Sequence, residues 1–140
     1  MSTREARPSV LFVCVKNGGK SQMAAALMRH RYGTSVDVHS AGTRPGGSLN
    51  AASVDALAEV GASVEGEHPK AIDPALLESV NRVVILGEEA SLQQVGQAKV
   101  ERWITDEPST RGIEGAQRMR LIRDDIAKRV DALAHELGLP

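Results

Sequence analysis

Cysteine and aromatic residues are scarce in this chain. Its 140 residues include one cysteine, one tryptophan, one tyrosine and one phenylalanine. A single cysteine excludes an intramolecular disulfide, and so few rings argue against an aromatic platform for stacking bases or phenyl groups. The histidines also lack the close spacing of a metal site; they are His30, His39, His68 and His135. We therefore expect no resident metal or other bound cofactor.

The chain also lacks a charge excess and a long apolar run. Its formal net charge is -1, so we expect no general attraction to nucleic acid or to a membrane surface, and any anion site must be local. No segment reaches the roughly 18 to 20 apolar residues of a membrane span, and residues 1–8 lack the apolar core of a signal peptide. These absences predict a cytoplasmic protein.

Strand and helix patterns alternate along the chain after a polar head at residues 1–8, which we expect to be flexible. Residues 9–15, 36–39 and 80–86 have strand patterns, and residues 100–104 have a weaker one. Helices are predicted at residues 22–32, 51–60 and 74–79, and from residue 116 onward. This order predicts one α/β domain over residues 9–140, with a parallel sheet and helices on both faces.

Residues 14–21, here called the Cys14 loop, hold the densest chemical pattern. Gly18 and Gly19 let the backbone curl, so that successive N–H groups can converge on one anion. A helix beginning near Ser21 adds the positive end of its dipole. These donors and Lys20 favour a nucleophilic thiolate at Cys14. The predicted oxyanion-binding residues are Val15, Lys16, Asn17, Gly18, Gly19, Lys20 and Ser21.

Two other interpretations of the loop remain open at this point. A lone cysteine at a strand end is often simply a buried apolar residue. The loop also resembles a nucleotide-binding P-loop, G-x-x-x-x-G-K-[ST], with Cys14 in place of the first glycine. A nucleotide enzyme would need an acidic magnesium ligand, and the candidates are Glu88 and Glu89, at an expected helix start after the strand at 80–86.

Several segments together resemble the low-molecular-weight protein tyrosine phosphatases and their arsenate reductase relatives. They are Val-Leu-Phe-Val-Cys at the first strand, Ser-Gln-Met-Ala-Ala-Ala in the helix and Ser-Ala-Gly-Thr at residues 40–43. Residues 103–108, 112–115 and 118–123 look like the arsenate reductase branch, and its single-cysteine, mycothiol-using members are the nearest likeness. The resemblance covers nearly the whole chain.

The resemblance implies a three-layer fold, in which four parallel strands have the order 2-1-3-4. It also implies that Cys14 is the nucleophile, that Asp106 is the general acid which protonates the leaving oxygen, and that Asn17 holds the loop shape. The family loop is C-x5-R-[ST], whereas this chain has Lys20 at the arginine position. Because a lysine replaces a planar two-pronged clamp with a point charge, we expect weaker anion binding and transition-state stabilisation.

The substrate expected from the resemblance is arsenate, since family phosphatases typically carry tyrosines beside the late aspartate and this chain has none there. With one cysteine, the enzyme needs an external thiol such as mycothiol, and a separate redoxin. Either Cys14 or the bound thiol makes the first attack on arsenate. The alternatives are a phosphatase, for phosphotyrosine or small phosphoesters, and an oxyanion-binding protein without turnover. Asp124 and Asp125 are interpreted as a solvated helix face.

Overall fold

The fold is a four-stranded parallel sheet with helices on both faces, as predicted. A computed structural model describes residues 7–93 and 96–140, so the first six residues of the expected head lie outside the described residues. The strands are β1 (Ser9–Cys14), β2 (Asp37–Gly42), β3 (Arg82–Leu86) and β4 (Lys99–Trp103). Their order, β2-β1-β3-β4, confirms the expected 2-1-3-4 arrangement.

The central strand β1 is buried on both faces because its side chains alternate between two cores. Val10 and Phe12 face the larger core, and Leu11 and Val13 face the smaller one. All four side chains are fully buried. A strand covered on both faces needs a continuous apolar run, which this segment provides.

The helices are α1 (Lys20–Tyr32), α2 (Ala51–Glu59), α3 (Pro74–Ser79) and α4 (Gly115–Glu136). The first, second and fourth pack on the larger core, while α3 contributes half-buried leucines to the smaller one. Helix α1 buries every side chain from Ser21 to Met28, because it is covered by neighbouring helices as well as by the sheet. No helix in the described part of the chain is long and apolar enough to cross a membrane.

Local sequence explains where the shorter helices begin. At the start of α2, the Asn50 side chain accepts a hydrogen bond from the backbone N–H of Ser53. At the start of α3, the Asp73 side chain accepts one from the backbone N–H of Ala75. The second strand extends to Gly42, beyond the predicted end at residue 39. That extension pairs Cys14 with Gly42 across the sheet.

Candidate active site

The Cys14 loop lies at the carboxyl edge of the sheet, beyond the end of β1. The segments that follow β3 and β4 meet it there, as expected for a parallel sheet. Because β1 is flanked by β2 and β3, and its four middle side chains are fully buried, the cysteine follows one of the two inner strands of the sheet.

Four hydrogen bonds tie the carbonyl groups of the Cys14 loop to the segment after β2. The donors are backbone N–H groups within residues 43–50, at N···O distances of 2.7–3.0 Å. The pairs are Thr43 to Cys14, Arg44 to Val15, Gly46 to Lys16 and Asn50 to Gly18. With its carbonyls held on that side, the loop leaves its N–H groups for another acceptor.

Those N–H groups belong to the residues predicted to bind an oxyanion. Within residues 7–93 and 96–140, the N–H groups of Lys16, Gly18 and Gly19 have no protein acceptor. The first N–H groups of α1, which begins at Lys20, have no intrahelical acceptor either. Asn17 adopts a left-handed conformation, with φ 54°, which asparagine tolerates better than most residues. The geometry therefore suits a tetrahedral oxyanion at the helix N-terminus.

Close packing of backbone against backbone holds the loop in place. A Cβ atom on Gly42 would lie 2.6 Å from the carbonyl oxygen of Val15 and 3.1 Å from the amide nitrogen of Asn17. A Cβ atom on Gly18 would lie 2.9 Å from the carbonyl oxygen of Ser48. Neither contact leaves room for a side chain, so both glycines are required for this loop shape.

The Cys14 sulfur receives hydrogen bonds from two directions. The Asn17 N–H donates to Sγ at 3.3 Å, and the Ser21 hydroxyl lies 2.8 Å from Sγ. The Asn17 side-chain amide donates to that hydroxyl at 2.8 Å. Because an amide nitrogen only donates, the Ser21 oxygen accepts this bond and its own proton is free to point at the sulfur. The arrangement therefore directs two hydrogen-bond donors at the Cys14 sulfur.

A buried network fixes the orientation of Asn17. Its Oδ1 accepts from Gln22 Nε2 at 3.1 Å and from the backbone N–H of Lys70 at 3.0 Å. Gln22 Nε2 also lies 3.1 Å from the carbonyl oxygen of His68. These contacts bring residues 68–70 against the loop, which the sequence analysis missed. No local pattern marks them, because the partners are about fifty positions apart.

A cavity of about 500 Å³ opens beside the sulfur. Lys20 is among its lining residues, and the Lys20 ammonium group forms no salt bridge within the described part of the chain. Apolar side chains come from Leu86 and Ile104, and carboxylates come from three glutamates. The full lining is Cys14, Val15, Lys20, Leu86, Gly87, Glu88, Glu89, Ile104, Thr105 and Glu107. Among the described residues, no cluster of ligands suits a metal ion.

The predicted acid, Asp106, follows β4 but does not line this cavity. Its carboxylate forms two hydrogen bonds with Arg111, at 2.9 and 3.1 Å. That pairing holds the pKa of Asp106 below its usual value. The structure therefore brings together Cys14, Lys20 and the loop residues, and places Asp106 next to the cavity in an ion pair.

The neighbouring Glu107 lines the cavity but was not predicted as a site residue. Arg118 donates to its two carboxylate oxygens at 2.7 and 2.9 Å, and Ser109 donates from its hydroxyl at 2.7 Å. The hydrogen bonds from Arg118 lower the pKa of Glu107 to about 2. Both carboxyl groups after β4 are thus held in the charged form.

Two minor expectations about acidic residues were wrong. Asp125 is not a purely solvated residue, because its Oδ2 accepts the backbone N–H of Asp106 at 2.8 Å and pairs with Arg129. The adjacent residue Asp124 is exposed, as expected. Glu88 and Glu89 lie in a bend rather than at a helix start.

Nearly the whole chain matches one protein family. The family model described as low molecular weight phosphotyrosine protein phosphatase matches residues 9–138. This chain belongs to that family. Because the match includes the Cys14 loop, it favours the phosphatase-type anion cradle over a nucleotide-binding P-loop.

Several relatives of this member of the low-molecular-weight phosphatase family are named as arsenate reductases. It is 32% identical to the arsenate reductase of Halalkalibacterium halodurans over 133 residues, which cover 89% of this chain and 94% of the relative. The solved arsenate reductase of Archaeoglobus fulgidus is 30% identical, with a TM-score of 0.73 over 92% of this chain and 98% of that one.

A second solved relative is longer than this chain. The thioredoxin-dependent arsenate reductase of Corynebacterium glutamicum is 26% identical, with a TM-score of 0.81. The match covers 97% of this chain but 64% of that one. The low-molecular-weight phosphatase domain therefore corresponds to about two thirds of that relative.

Proposed function

We propose that this protein reduces arsenate, using the Cys14 thiolate and an external low-molecular-weight thiol. The observation that carries the choice of substrate is the absence of aromatic side chains from the cavity. Phe12 and Trp103 are buried in the core. Tyr32 lies at the far end of α1, where its hydroxyl donates a hydrogen bond to Asp131. A phosphotyrosine ring would find no aromatic wall beside the sulfur, whereas an inorganic oxyanion needs none.

The first chemical step that we propose is attack by the Cys14 sulfur on arsenic. A sulfur–arsenic bond forms while one arsenic–oxygen bond breaks, and the leaving oxygen takes a proton and departs as water. The N–H groups of Lys16, Gly18 and Gly19, which have no acceptor among the described residues, bind the remaining oxygens. Arsenic stays pentavalent in this step, so no reductant is consumed.

Reduction then needs a thiol from outside the chain, because Cys14 is the only cysteine. The sulfur of the external thiol attacks arsenic and releases the Cys14 thiolate. A redoxin then attacks the sulfur of the thiol–arsenic adduct and forms a mixed disulfide, and the electron pair of the sulfur–arsenic bond reduces arsenic to the trivalent state. We propose a mycothiol-like thiol for this role, in the cytoplasm, where such thiols are kept reduced.

The role proposed for Asp106 depends on an opening of its ion pair. To protonate the leaving oxygen, its carboxyl group must leave Arg111 and gain a proton. Lys20, in contrast, already lines the cavity. We expect it to attract the oxyanion as a single point charge, with less directional binding than an arginine provides.

The test is an assay of the purified protein with arsenate, mycothiol and a mycothiol-dependent redoxin, with arsenite as the measured product. We expect arsenite formation that requires both the thiol and Cys14, so the Cys14→Ser variant should be inactive. A parallel assay with p-nitrophenyl phosphate tests the alternative of a phosphatase. Phosphate release without arsenite formation would contradict the proposed function, and anion binding without either reaction would indicate a binding protein.

A further inference from the structure

We propose that Gln22 is a positioning residue for Cys14, and that it acts on the sulfur through Asn17 and Ser21. The inference deepens the proposed function, since it concerns the nucleophile on which that function rests. Gln22 lies in the first turn of α1, and 2% of its surface is exposed. Its side-chain amide begins a chain of hydrogen bonds that ends at Cys14 Sγ.

The orientation of the Gln22 amide is determined by its acceptors. Its Nε2 lies 3.2 Å from the carbonyl oxygen of Asn17, 3.1 Å from Asn17 Oδ1 and 3.1 Å from the carbonyl oxygen of His68. Backbone carbonyl oxygens can only accept, so a flipped amide would place Oε1 against at least two other oxygens. Because the side chain is buried, water cannot relieve such a contact. Gln22 therefore serves as a donor at this place.

The Gln22 amide in turn helps to orient Asn17. The Oδ1 atom of Asn17 accepts from two donors, which are Gln22 Nε2 at 3.1 Å and the backbone N–H of Lys70 at 3.0 Å. A flipped Asn17 amide would direct its own N–H groups at both donors. Since the Lys70 donor belongs to the backbone, Gln22 is the side chain at which substitution can weaken this preference.

The orientation of Asn17 determines which way the Ser21 hydroxyl donates. With Oδ1 held by its two donors, Asn17 Nδ2 donates to Ser21 Oγ at 2.8 Å. The Ser21 oxygen lies 2.8 Å from Cys14 Sγ, and its own proton is left to point at the sulfur. The donor at Gln22 thus supports a donor at the nucleophile two side chains away.

The oxygen of the Gln22 amide also indicates that the residue is there as a donor. A glutamine at the third position of a helix commonly accepts the N–H of the residue before the helix, in a capping box. Gln22 occupies that position, because α1 begins at Lys20 after Gly19. However, its Oε1 is buried and has no partner among the described residues. A glutamine needed only to cap the helix would use this oxygen and leave its nitrogen free.

The test compares Gln22→Met with Gln117→Met. Methionine keeps the length of the side chain and removes its donor, so that Asn17 is held by one donor instead of two. Gln117 is an exposed control position on α4. We expect alkylation of Cys14 by iodoacetamide to slow about fivefold in Gln22→Met, the effect of one lost hydrogen bond, and to be unchanged in Gln117→Met. The product is measured by mass spectrometry of the peptide that contains Cys14. An unchanged rate in folded Gln22→Met would overturn the inference.

A second comparison shows whether Gln22 acts through Ser21. In a Ser21→Ala background the hydroxyl is absent, so the addition of Gln22→Met should slow alkylation by no more than about twofold further. A fivefold loss in both backgrounds would mean that Gln22 only supports the loop in general. That result would overturn the inference.

A measurement on the wild type keeps the inference testable if Gln22→Met does not fold. The side-chain amide protons of Asn17 should show stronger nuclear Overhauser contacts to the Cβ protons of Ser21 than to the backbone amide proton of Lys70. The opposite order would show that the Asn17 amide points the other way, and it would overturn the inference.

Alkylation requires neither arsenate nor an external thiol, so these results are independent of the proposed function. If the wild type forms no arsenite but both alkylation comparisons give the expected results, the proposed function alone fails. In an active enzyme, Gln22→Met should lower the kcat for arsenite formation and leave the KM for arsenate close to the wild-type value. A rise in KM with an unchanged kcat would indicate a distorted anion-binding loop and would overturn the role of Gln22.

Discussion

The substitution Asn17→Asp tests whether the Ser21 hydroxyl donates its proton to the Cys14 sulfur. The two side chains have nearly the same shape, and Oδ1 would keep its bonds from Gln22 and from the Lys70 amide. The change removes the donor that now lies 2.8 Å from the Ser21 oxygen and replaces it with an acceptor. The hydroxyl proton should therefore turn toward residue 17 and away from the sulfur.

The size of the effect follows from the bond that is lost. A hydrogen bond to a charged group contributes about 1.5–3 kcal/mol, and a tenfold change in an equilibrium requires about 1.4 kcal/mol. The rate at which Cys14 reacts as a nucleophile should thus fall by roughly 10- to 100-fold. The negative charge introduced at residue 17 acts in the same direction.

The assay is the rate of alkylation of Cys14 by iodoacetamide at mildly acid pH, where only the thiolate reacts. Because the chain has one cysteine, every alkylated thiol is Cys14, and peptide mass spectrometry distinguishes it from alkylated methionine. Ser21→Ala serves as the control, since it removes the same bond to the sulfur without adding a charge, and thermal unfolding checks that each variant is folded. If Asn17→Asp is alkylated as fast as the wild type while Ser21→Ala is slow, the assigned direction of the hydroxyl proton is wrong.

Three other predictions concern the frame of the site. Gly42→Ala should destabilise the fold by about 1–3 kcal/mol through a backbone clash, whereas Gly47→Ala, with open space around it, should be nearly neutral in urea unfolding. Arg118 lowers the pKa of Glu107 from 4.5 to about 2, so their pair stabilises the fold above pH 4.5 and loses that contribution as the pH falls toward 2. Arg118→Gln should therefore reduce the pH dependence of the free energy of unfolding in this range. An unchanged pH dependence would contradict the pairing. Asp125→Ala should speed amide hydrogen exchange at residues 104–107 roughly tenfold, and unchanged exchange would show that this contact does not hold the segment.

The parts of the fold that depend on local pattern could be predicted from the sequence. The apolar run of β1 and the four-residue spacing of Ile122, Ile126 and Val130 in α4 depend on residues close in sequence. The position of Cys14 at a strand end, followed by two glycines and a helix, likewise gave the candidate site. In these segments the periodicity of apolar residues determines both the type of secondary structure and the face that is buried.

Contacts between distant segments could not be predicted in this way. The sequence gives no sign that the Lys70 amide completes the environment of Asn17, or that Asp125 of α4 accepts the Asp106 amide. Gly42 looked like a turn residue, yet the structure needs it because the Cys14 loop lies against it. In each case the decisive neighbour comes from elsewhere in the chain, and only tertiary packing brings the pair together.

The cavity has two halves that are built differently, and the four hydrogen bonds between the Cys14 loop and the segment after β2 stabilise only one of them. One half, which carries the nucleophile, is immobilised by backbone bonds and tolerates little change. The opposite wall comes from exposed side chains that follow β3 and β4, such as Glu88, Glu89 and Ile104. Substitutions in that wall would alter which molecules enter without displacing the sulfur, so an engineer seeking new selectivity should mutate it first.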